Sequence, residues 1–314
     1  MKLSELQKSL KGIFPAVSTP LTEEGALDEK GLRNLVAHLL EGGVHGLWVL
    51  GSGGSFVALT DDQKLQIIRI VVEEVRGRIP ILVGAGDCTT AKVIQNVNLV
   101  AEMGADAAFV VAPFYFFHSQ SELICHYEEI ALKAKLPIMI YNNPSNTKNG
   151  LSVENVAGLA KDERILGIKD SSCDFSQFLR LVQRLKGNER FRIFQGGELL
   201  VPASFLFGAH GAVFGLANVV PKLCVALYRA ASAKDVDRLV SLQEQFLSLL
   251  RLEDIHGEGN DRSFLGGIQA SLELMGICGR TLPKPFATFS GDELHRIESI
   301  LKAERLNVEE HRKA

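Results

Sequence analysis

The sequence lacks several features that would place it in a specialised class of protein. Its five cysteines include no C-x-x-C pair, and their odd number does not fit a framework of disulfides. No apolar run approaches the ~20 residues that span a bilayer, and the polar N-terminal stretch has no apolar signal-peptide core. We therefore expect a cytoplasmic protein with free or buried thiols and no membrane partner.

Signatures of metal and nucleotide binding are also missing. The eight histidines show no H-E-x-x-H spacing, so no metal site is predicted. The glycine-rich stretch 51–55 is not followed by G-K-[ST] and lacks the third glycine of a dinucleotide fingerprint. With a formal net charge of -3, the chain has no excess of positive charge that would favour nucleic acid. We therefore expect no nucleic-acid partner.

The sequence does contain a regular alternation of short apolar runs and longer amphipathic stretches. Eight apolar runs occur, at residues 13–17, 46–50, 79–83, 107–111, 137–141, 165–169, 191–194 and 211–214. The stretches between them have the apolar spacing of helices, and T-x-x-Q at Thr60 and S-x-x-E at Ser119 are capping boxes that start two of these helices. Continuous apolar strands favour a parallel sheet covered on both faces. Eight such units predict an α/β protein, a (β/α)8 TIM barrel.

The repeat also predicts a division of the chain. The eight units give a catalytic barrel domain over residues 12–231. Further helical stretches at 235–252, 263–278 and 292–306 give a C-terminal helical extension over residues 232–314. Because barrels of this kind hold their active site at the C-terminal ends of the strands, the candidate site residues are the last strand residues and the loops that follow.

Three candidates lie at these strand ends, and each has an alternative interpretation. Lys169 ends the sixth run; as a desolvated amine it could form a Schiff base with a ketone, whereas a lysine at a strand end is commonly a solvated charge. Tyr141 ends the fifth run and is either a proton relay or a core aromatic. The stretch 51–55 is either an anion-binding turn, with Ser52 as a further donor, or a tight turn that requires glycine.

An aromatic run of four residues, 114–117, follows the fourth strand and includes Tyr115. Four aromatic side chains on one loop of a globular protein suggest contact with another subunit.

Together these segments resemble the dihydrodipicolinate synthase / N-acetylneuraminate lyase family of pyruvate-dependent Schiff-base aldolases. The resemblance runs from about residue 12 to about residue 282. The segments that carry it are IFPAVSTP at 13–20, GSGGS at 51–55, YNNP at 141–144, GIKDSS at 167–172 and ANV at 217–219. Each segment alone is weak evidence, and their order within an eight-unit barrel makes the resemblance specific.

The resemblance implies roles for individual residues. Lys169 would be the Schiff-base nucleophile, Tyr141 the proton relay and Ser52 a donor to the substrate carboxylate that also joins the relay. Tyr115 would reach into the site of a neighbouring subunit. The implied substrate-binding residues are Gly53, Gly54, Asn143, Ser171, Gly196 and Val213. A covalent imine through Lys169 implies no separate cofactor, and the family's usual homotetramer, a dimer of dimers, agrees with the aromatic run.

Three departures from the synthase pattern guide the choice of reaction. Synthases typically carry an arginine two residues after the proline of the tyrosine motif, and this chain has Asn146 at that position. Synthases also have a second hydroxyl residue in the glycine-rich loop, where this chain has Gly53. Their pair of adjacent tyrosines is replaced by Phe114 followed by Tyr115. A neutral amide cannot replace a bidentate guanidinium. We therefore expect an aldolase that cleaves a 2-oxo-3-deoxy sugar acid to pyruvate and an aldehyde.

Three alternatives stay open. The first is dihydrodipicolinate synthase, which acts on pyruvate and aspartate semialdehyde. The second is a dehydratase or deaminase of a related 2-oxo acid, because these reactions share the imine and differ in the leaving group. The third is a non-catalytic protein that binds a 2-oxo acid, although such a protein would need neither the nucleophile nor the relay.

Overall fold

The computed structural model describes residues 3–257 and 259–306. Within these residues the chain forms eight β-strands: β1 (Gly12–Pro15), β2 (Leu47–Val49), β3 (Ile81–Gly84), β4 (Ala107–Val111), β5 (Ile138–Asn142), β6 (Ile165–Asp170), β7 (Arg192–Gln195) and β8 (Gly211–Phe214). The strand ends differ from those of the predicted apolar runs by at most two residues. The alternation of the sequence therefore located every strand.

The same described residues form thirteen α-helices. These are α1 (Leu3–Ser9), α2 (Glu29–Glu41), α3 (Asp61–Val75), α4 (Thr90–Glu102), α5 (Gln120–Lys133), α6 (Pro144–Thr147), α7 (Val153–Leu159), α8 (Phe175–Arg184), α9 (Val201–Leu206), α10 (Pro221–Ser232), α11 (Val236–Leu250), α12 (Asp261–Leu274) and α13 (Asp292–Ala303). Both predicted capping boxes are confirmed: Thr60 starts α3 and Ser119 starts α5, each with reciprocal bonds to the third helical residue.

The strands form one sheet in the order β1-β8-β7-β6-β5-β4-β3-β2, and the pairs from β3 to β8 are parallel. Backbone hydrogen bonds join the first strand to the residues that lead into β8 and into β2. The Gly12 N–H donates to His210 O at 2.9 Å, and the His45 N–H donates to Ile13 O at 2.9 Å. A sequential parallel order that returns to its first strand is the (β/α)8 barrel, so the predicted fold is confirmed.

Contacts divide the described chain into two compact units. The first consists of residues 3–14, 45–48 and 79–213, and the second of residues 15–44, 49–78 and 214–306 apart from residue 258. Helices α11 to α13, in the second unit, confirm the predicted C-terminal helices. The boundary between residues 231 and 232 stays a prediction, and residues 307–314 of the predicted extension lie outside the described residues.

A membrane-spanning helix is not found among the described residues, since none of their helices combines sufficient length with sufficient apolar character.

Candidate active site

Lys169 and Tyr141 lie side by side on adjacent strands of the first unit. They are register partners in the β5–β6 pair, and each is the next-to-last residue of its strand. Both are buried, with 5% and 3% of their surface exposed. The Lys169 Nζ lies 4.3 Å from the centroid of the Tyr141 ring. An amine and a phenol therefore meet at the strand ends where barrel enzymes hold their sites.

A second aromatic ring, that of Trp48 in β2, also lies under the Lys169 amine. The Nζ is 5.4 Å from its centroid. Trp48 stacks on Phe109 at 3.7 Å and an interplanar angle of 10°, and it meets Tyr141 edge to face at 5.8 Å and 89°. The sequence does not distinguish Trp48 from an ordinary core residue, because it is a tryptophan inside an apolar run.

The Tyr141 hydroxyl is connected to a series of polar side chains. Asn143 Nδ2 donates to Tyr141 Oη at 3.1 Å. Ser145 Oγ lies 2.9 Å from Asn143 Oδ1 and 3.1 Å from Asn146 Oδ1, and its one proton serves either oxygen. Asn143 is buried, whereas Asn146 is exposed on the short helix α6. Hydrogen-bonding groups thus lead from the phenol towards the surface, and they hold the phenol in one orientation.

Asp170, the last residue of β6, is a buried carboxyl to which the sequence assigns no role. It is 2% exposed. Asn142 Nδ2 donates to its Oδ1 at 2.8 Å, and the Ser172 N–H and Oγ donate to its two oxygens at 3.2 and 3.0 Å. Burial raises the pKa of the Asp170 carboxyl, while these hydrogen bonds act in the opposite direction. The network ties the end of β6, next to Lys169, to the end of β5.

This raised pKa predicts a pH-dependent loss of stability. The folded protein holds the Asp170 proton more tightly than the unfolded chain, whose aspartates titrate near pH ~3.9, so stability falls as pH rises from about 4 through the folded pKa. The loss should be about 1.4 kcal/mol for each unit between the two pKa values. Asp170→Asn should lack this component in urea unfolding measured from pH 4 to 7. The same dependence of the free energy of unfolding on pH in the two proteins would contradict the prediction.

Gly196 allows a close approach beside the Lys169 side chain. A Cβ atom there would lie 2.0 Å from Ser171 Oγ and 2.8 Å from Lys169 Cε, distances that no real side chain tolerates. The Gly196 N–H donates to Asp170 O at 2.8 Å, which holds the loop against β6. Two of the predicted substrate-binding residues, Gly196 and Ser171, therefore surround the Lys169 stem. A third, Val213, is fully buried in β8.

We predict that Gly196→Ala disturbs Lys169 without unfolding the barrel. The added methyl group must displace Ser171 Oγ or the lysine stem, and a displacement on the ångström scale costs catalysis about 10²-fold. Steady-state turnover measures this loss. In a Ser171→Ala background, which already lacks the nearer clashing atom, the further loss from Gly196→Ala should be smaller than in the unaltered chain. A single variant with unchanged turnover would show that the loop moves freely away from Lys169.

Tyr115 lies on an exposed aromatic loop. Its backbone φ is 80°, and its side chain is 74% exposed, with Phe116 at 67% and Phe117 at 78%. The buried Asn149 holds this loop in place: its Nδ2 donates to Pro113 O at 2.8 Å and to Phe116 O at 2.7 Å. The loop is therefore held in place as an exposed apolar surface, and Lys148 Nζ lies 5.8 Å from the centroid of the Phe117 ring.

The glycine-rich stretch belongs to the second unit, where Ser52–Gly54 forms a 3₁₀ turn. The Gly54 N–H donates to Gly51 O at 3.1 Å, so this donor is used within the turn. A Cβ at Gly54 would lie 2.8 Å from Val17 O. Glycine at position 54 is therefore required for a close backbone approach.

Helix α12 supports this turn from within the same unit. Phe264 Cε1 lies 3.8 Å from the position that a Cβ on Gly53 would occupy. Gln269 Nε2 donates to Thr19 O at 2.9 Å, and Thr19 Oγ1 donates to Gly54 O at 2.8 Å. The sequence predicts a helix near α12 but no role for it, because the periodicity of apolar residues locates a helix without identifying what it packs against.

The residues that the structure brings together within the first unit are Lys169, Tyr141, Asn143, Ser171 and Gly196. The roles predicted for them, and for Ser52, Gly53, Gly54, Tyr115 and Val213, stay predictions. Within residues 3–257 and 259–306, no group of three or more His, Cys, Asp or Glu side chains is placed to hold a metal ion.

Comparisons with known proteins agree with this arrangement. Residues 9–304 match the model of the dihydrodipicolinate synthetase family. A 4-hydroxy-tetrahydrodipicolinate synthase from Anaeromyxobacter dehalogenans (strain 2CP-C) is 33% identical over 294 residues, 94% of this chain and 97% of that protein. Dihydrodipicolinate synthase from Bacteroides thetaiotaomicron superposes with a TM-score of 0.89 at 34% identity, covering 94% and 98% of the two chains. A prophage protein of the dihydrodipicolinic acid synthase family from E. coli K12, in complex with pyruvate, superposes with a TM-score of 0.88 at 28% identity, covering 95% and 99%.

Proposed function

Because the chain belongs to the dihydrodipicolinate synthetase family of class I aldolases, which are carbon–carbon lyases, we propose that Lys169 forms a Schiff base with pyruvate or a related 2-oxo acid. The observation that carries this proposal is the buried Lys169 amine, 4.3 Å from the centroid of the Tyr141 ring. An amine held out of bulk water beside a phenol has the two groups that imine chemistry needs, a nucleophile and a proton carrier.

The proposed reaction begins with attack of the Lys169 amine on the ketone carbon of the 2-oxo acid. The keto oxygen leaves as water with one amine hydrogen and one further proton, and the nitrogen keeps a hydrogen and a positive charge. This protonated imine accepts the electron pair of the bond at the adjacent carbon, so that a carbon–carbon bond is broken or, in reverse, formed. The imine itself is the electron sink, and the proposal needs no separate cofactor.

Tyr141 is proposed to move the protons of these steps. Its hydroxyl already accepts a hydrogen bond from Asn143, which fixes the orientation of the phenol. Ser52 is proposed as a second member of the relay and as a donor to the substrate carboxylate, with the Gly53 N–H beside it. Gly54 contributes through its small size instead, since its N–H is occupied by Gly51 O.

For the second substrate, the names of the relatives favour the synthase, which sequence analysis ranks as an alternative. We therefore place first the condensation of pyruvate with aspartate semialdehyde. Cleavage of a 2-oxo-3-deoxy sugar acid is the second candidate, and it is supported by Asn146, an exposed neutral amide where synthases typically carry an arginine. Such an amide can bond to sugar hydroxyls but offers a carboxylate no charge.

Trapping with borohydride tests the shared chemistry. Intact-protein mass spectrometry after treatment with pyruvate should give one pyruvyl adduct per chain, mapped to Lys169 by peptide analysis. A folded protein without any adduct would overturn the proposal. The second substrate is then decided by assaying one preparation with aspartate semialdehyde plus pyruvate and, separately, with a panel of 2-oxo-3-deoxy sugar acids.

The exposed aromatic loop is proposed to join two copies of the chain, within a homotetramer built as a dimer of dimers. Two observations support this assignment. Asn149 holds the loop in place through two hydrogen bonds, and the loop exposes three aromatic side chains, which are enriched at protein interfaces. In this arrangement Tyr115 would contribute to the site of the second copy.

We predict that Phe117→Asp lowers the molar mass in sedimentation equilibrium. Burying a carboxylate in an apolar interface without a partner is unfavourable, so the apparent dissociation constant should rise by about 10-fold or more. Leu132→Asp is the matched control, since Leu132 is 75% exposed on α5 and outside the loop. Equal masses for Phe117→Asp and the unaltered chain would contradict the role of the loop. Tyr115→Phe should then reduce activity only in the associated form.

A further inference from the structure

The aromatic ring of Trp48 lies against the amine that the proposed function places at the reaction centre. Lys169 Nζ is 5.4 Å from the Trp48 centroid and 4.3 Å from that of Tyr141. Both distances are within the ~6 Å over which a cation is attracted to a ring face. Lys169 is 5% exposed, so little water screens this attraction.

The surroundings of Lys169 make these ring faces its main electrostatic partners. Among the described residues, Lys169 forms no ion pair with a carboxylate. Its neighbour Asp170 is bonded instead to Asn142 and Ser172. A positive charge on the Lys169 nitrogen therefore faces the negative faces of two aromatic rings.

The Trp48 ring is also held rigidly. Phe109 stacks on it at 3.7 Å, and Tyr141 meets it edge to face at 5.8 Å. Trp48 is fully buried, and its Nε1 has no hydrogen-bond partner among the described residues. Ring packing rather than a hydrogen bond thus orients the indole. Within the described residues its N–H is buried without an acceptor, which costs free energy that a phenylalanine at this position would not.

We propose that Trp48 is a further residue of the catalytic machinery, whose ring face stabilises the protonated imine on Lys169. This inference deepens the proposed function and rests on it. The nitrogen carries a positive charge in each protonated imine, both before the carbon–carbon bond changes and before hydrolysis, and it is neutral in the enamine between them. A fixed ring face therefore stabilises the protonated imines. The free amine that attacks the ketone is neutral and gains less from the ring, so the equilibrium shifts towards the imine.

The test compares Trp48→Leu and Trp48→Phe with Phe109→Leu as a matched core truncation. Phe109 packs on the same indole. Among the described residues, Lys169 Nζ lies over the rings of Trp48 and Tyr141, so truncating Phe109 changes the packing without removing a ring under the amine. The measured quantity is the fraction of protein trapped by borohydride as a function of pyruvate concentration. Trp48→Leu should weaken imine formation roughly 2- to 30-fold, the range of a cation–π contact. Trp48→Phe should weaken it less, and Phe109→Leu less than Trp48→Leu.

Thermal unfolding of each variant separates folding from chemistry. Should Trp48→Leu fail to fold, Trp48→Phe still tests the proposal. The N–H that it removes has no acceptor within the part of the chain that the structure describes, so no acceptor loses its donor. Equal trapping curves for Trp48→Phe, Trp48→Leu where folded, and the unaltered chain would overturn the role of Trp48. A Phe109→Leu effect as large as that of Trp48→Leu would do the same, because it would show a packing effect.

The sequence provides an independent spectroscopic readout, since Trp48 is the only tryptophan of the chain. Its fluorescence should change when pyruvate forms the imine and should not change in Lys169→Ala. A trapped adduct at Lys169 without any fluorescence change would mean that the ring is not beside the iminium. The absence of an adduct in the unaltered protein would instead count against the proposed function itself, so the two failures are distinguishable.

Discussion

Lys169→Ala should abolish the borohydride-trapped pyruvyl adduct and reduce turnover by roughly 10³-fold or more. The reason is chemical, because no other amine is placed beside Tyr141 and Trp48 at the ends of β5 and β2 among the described residues. Without the nitrogen there is no electron sink for the bond at the adjacent carbon. The measurement is intact mass after reduction, together with a steady-state assay.

The fold of this variant should survive. Among the described residues, no hydrogen bond runs from the Lys169 side chain to another element, so the substitution to alanine leaves no acceptor without its donor. Removing a buried amine that forms no ion pair within residues 3–257 and 259–306 also removes an unfavourable burial. Circular dichroism and thermal unfolding should therefore match those of the unaltered chain. Lys169→Arg is the informative control, because it keeps the charge over the rings but cannot form an imine under these conditions. A trapped adduct in either variant would assign the nucleophile to another lysine.

The strands and the two principal residues could be predicted from the sequence because local patterns determine them. Eight apolar runs gave eight strands, and parallel strands taken in order bring neighbouring ends together. Lys169 and Tyr141 each end such a run, which is why both were identified and found as register partners. What the sequence could not supply was distance, such as the 4.3 Å between the amine and the ring.

Other parts of the site depend on contacts that no local pattern encodes. Trp48 has the pattern of a core residue, and only its position over Lys169 distinguishes it from one. Asp170 follows Lys169 in a turn-like sequence, yet it is 2% exposed because Asn142 and Ser172 satisfy its oxygens. The Gly54 N–H donates to Gly51 O within the turn, a bond that the glycine-rich pattern does not indicate. Each case depends on a tertiary or turn interaction that no pattern of single residues contains.

Tyr141→Phe should lower turnover by roughly 10²-fold or more, the usual scale for a lost acid–base group. The substitution is selective because it keeps the ring, and with it the contact to Lys169 at 4.3 Å and the edge-to-face contact with Trp48 at 5.8 Å. Only the hydroxyl is removed, so Asn143 Nδ2 loses its acceptor. The free energy of unfolding should therefore fall by only about 1 kcal/mol, the contribution of one neutral hydrogen bond.

The distinction between forming and processing the imine makes this variant decisive. If Tyr141 moves protons, the trapped adduct at equilibrium should persist in Tyr141→Phe, whereas its rate of formation and the turnover should both fall. Asn143→Ala is the control, because it removes the donor to the hydroxyl but leaves the phenol, and its loss of turnover should be smaller. Unchanged rates in Tyr141→Phe would place the relay elsewhere, with Ser52 as the remaining hydroxyl among the predicted relay residues. Loss of the equilibrium adduct would show instead that the hydroxyl binds the 2-oxo acid, which would make Tyr141 a substrate-binding residue rather than a proton carrier.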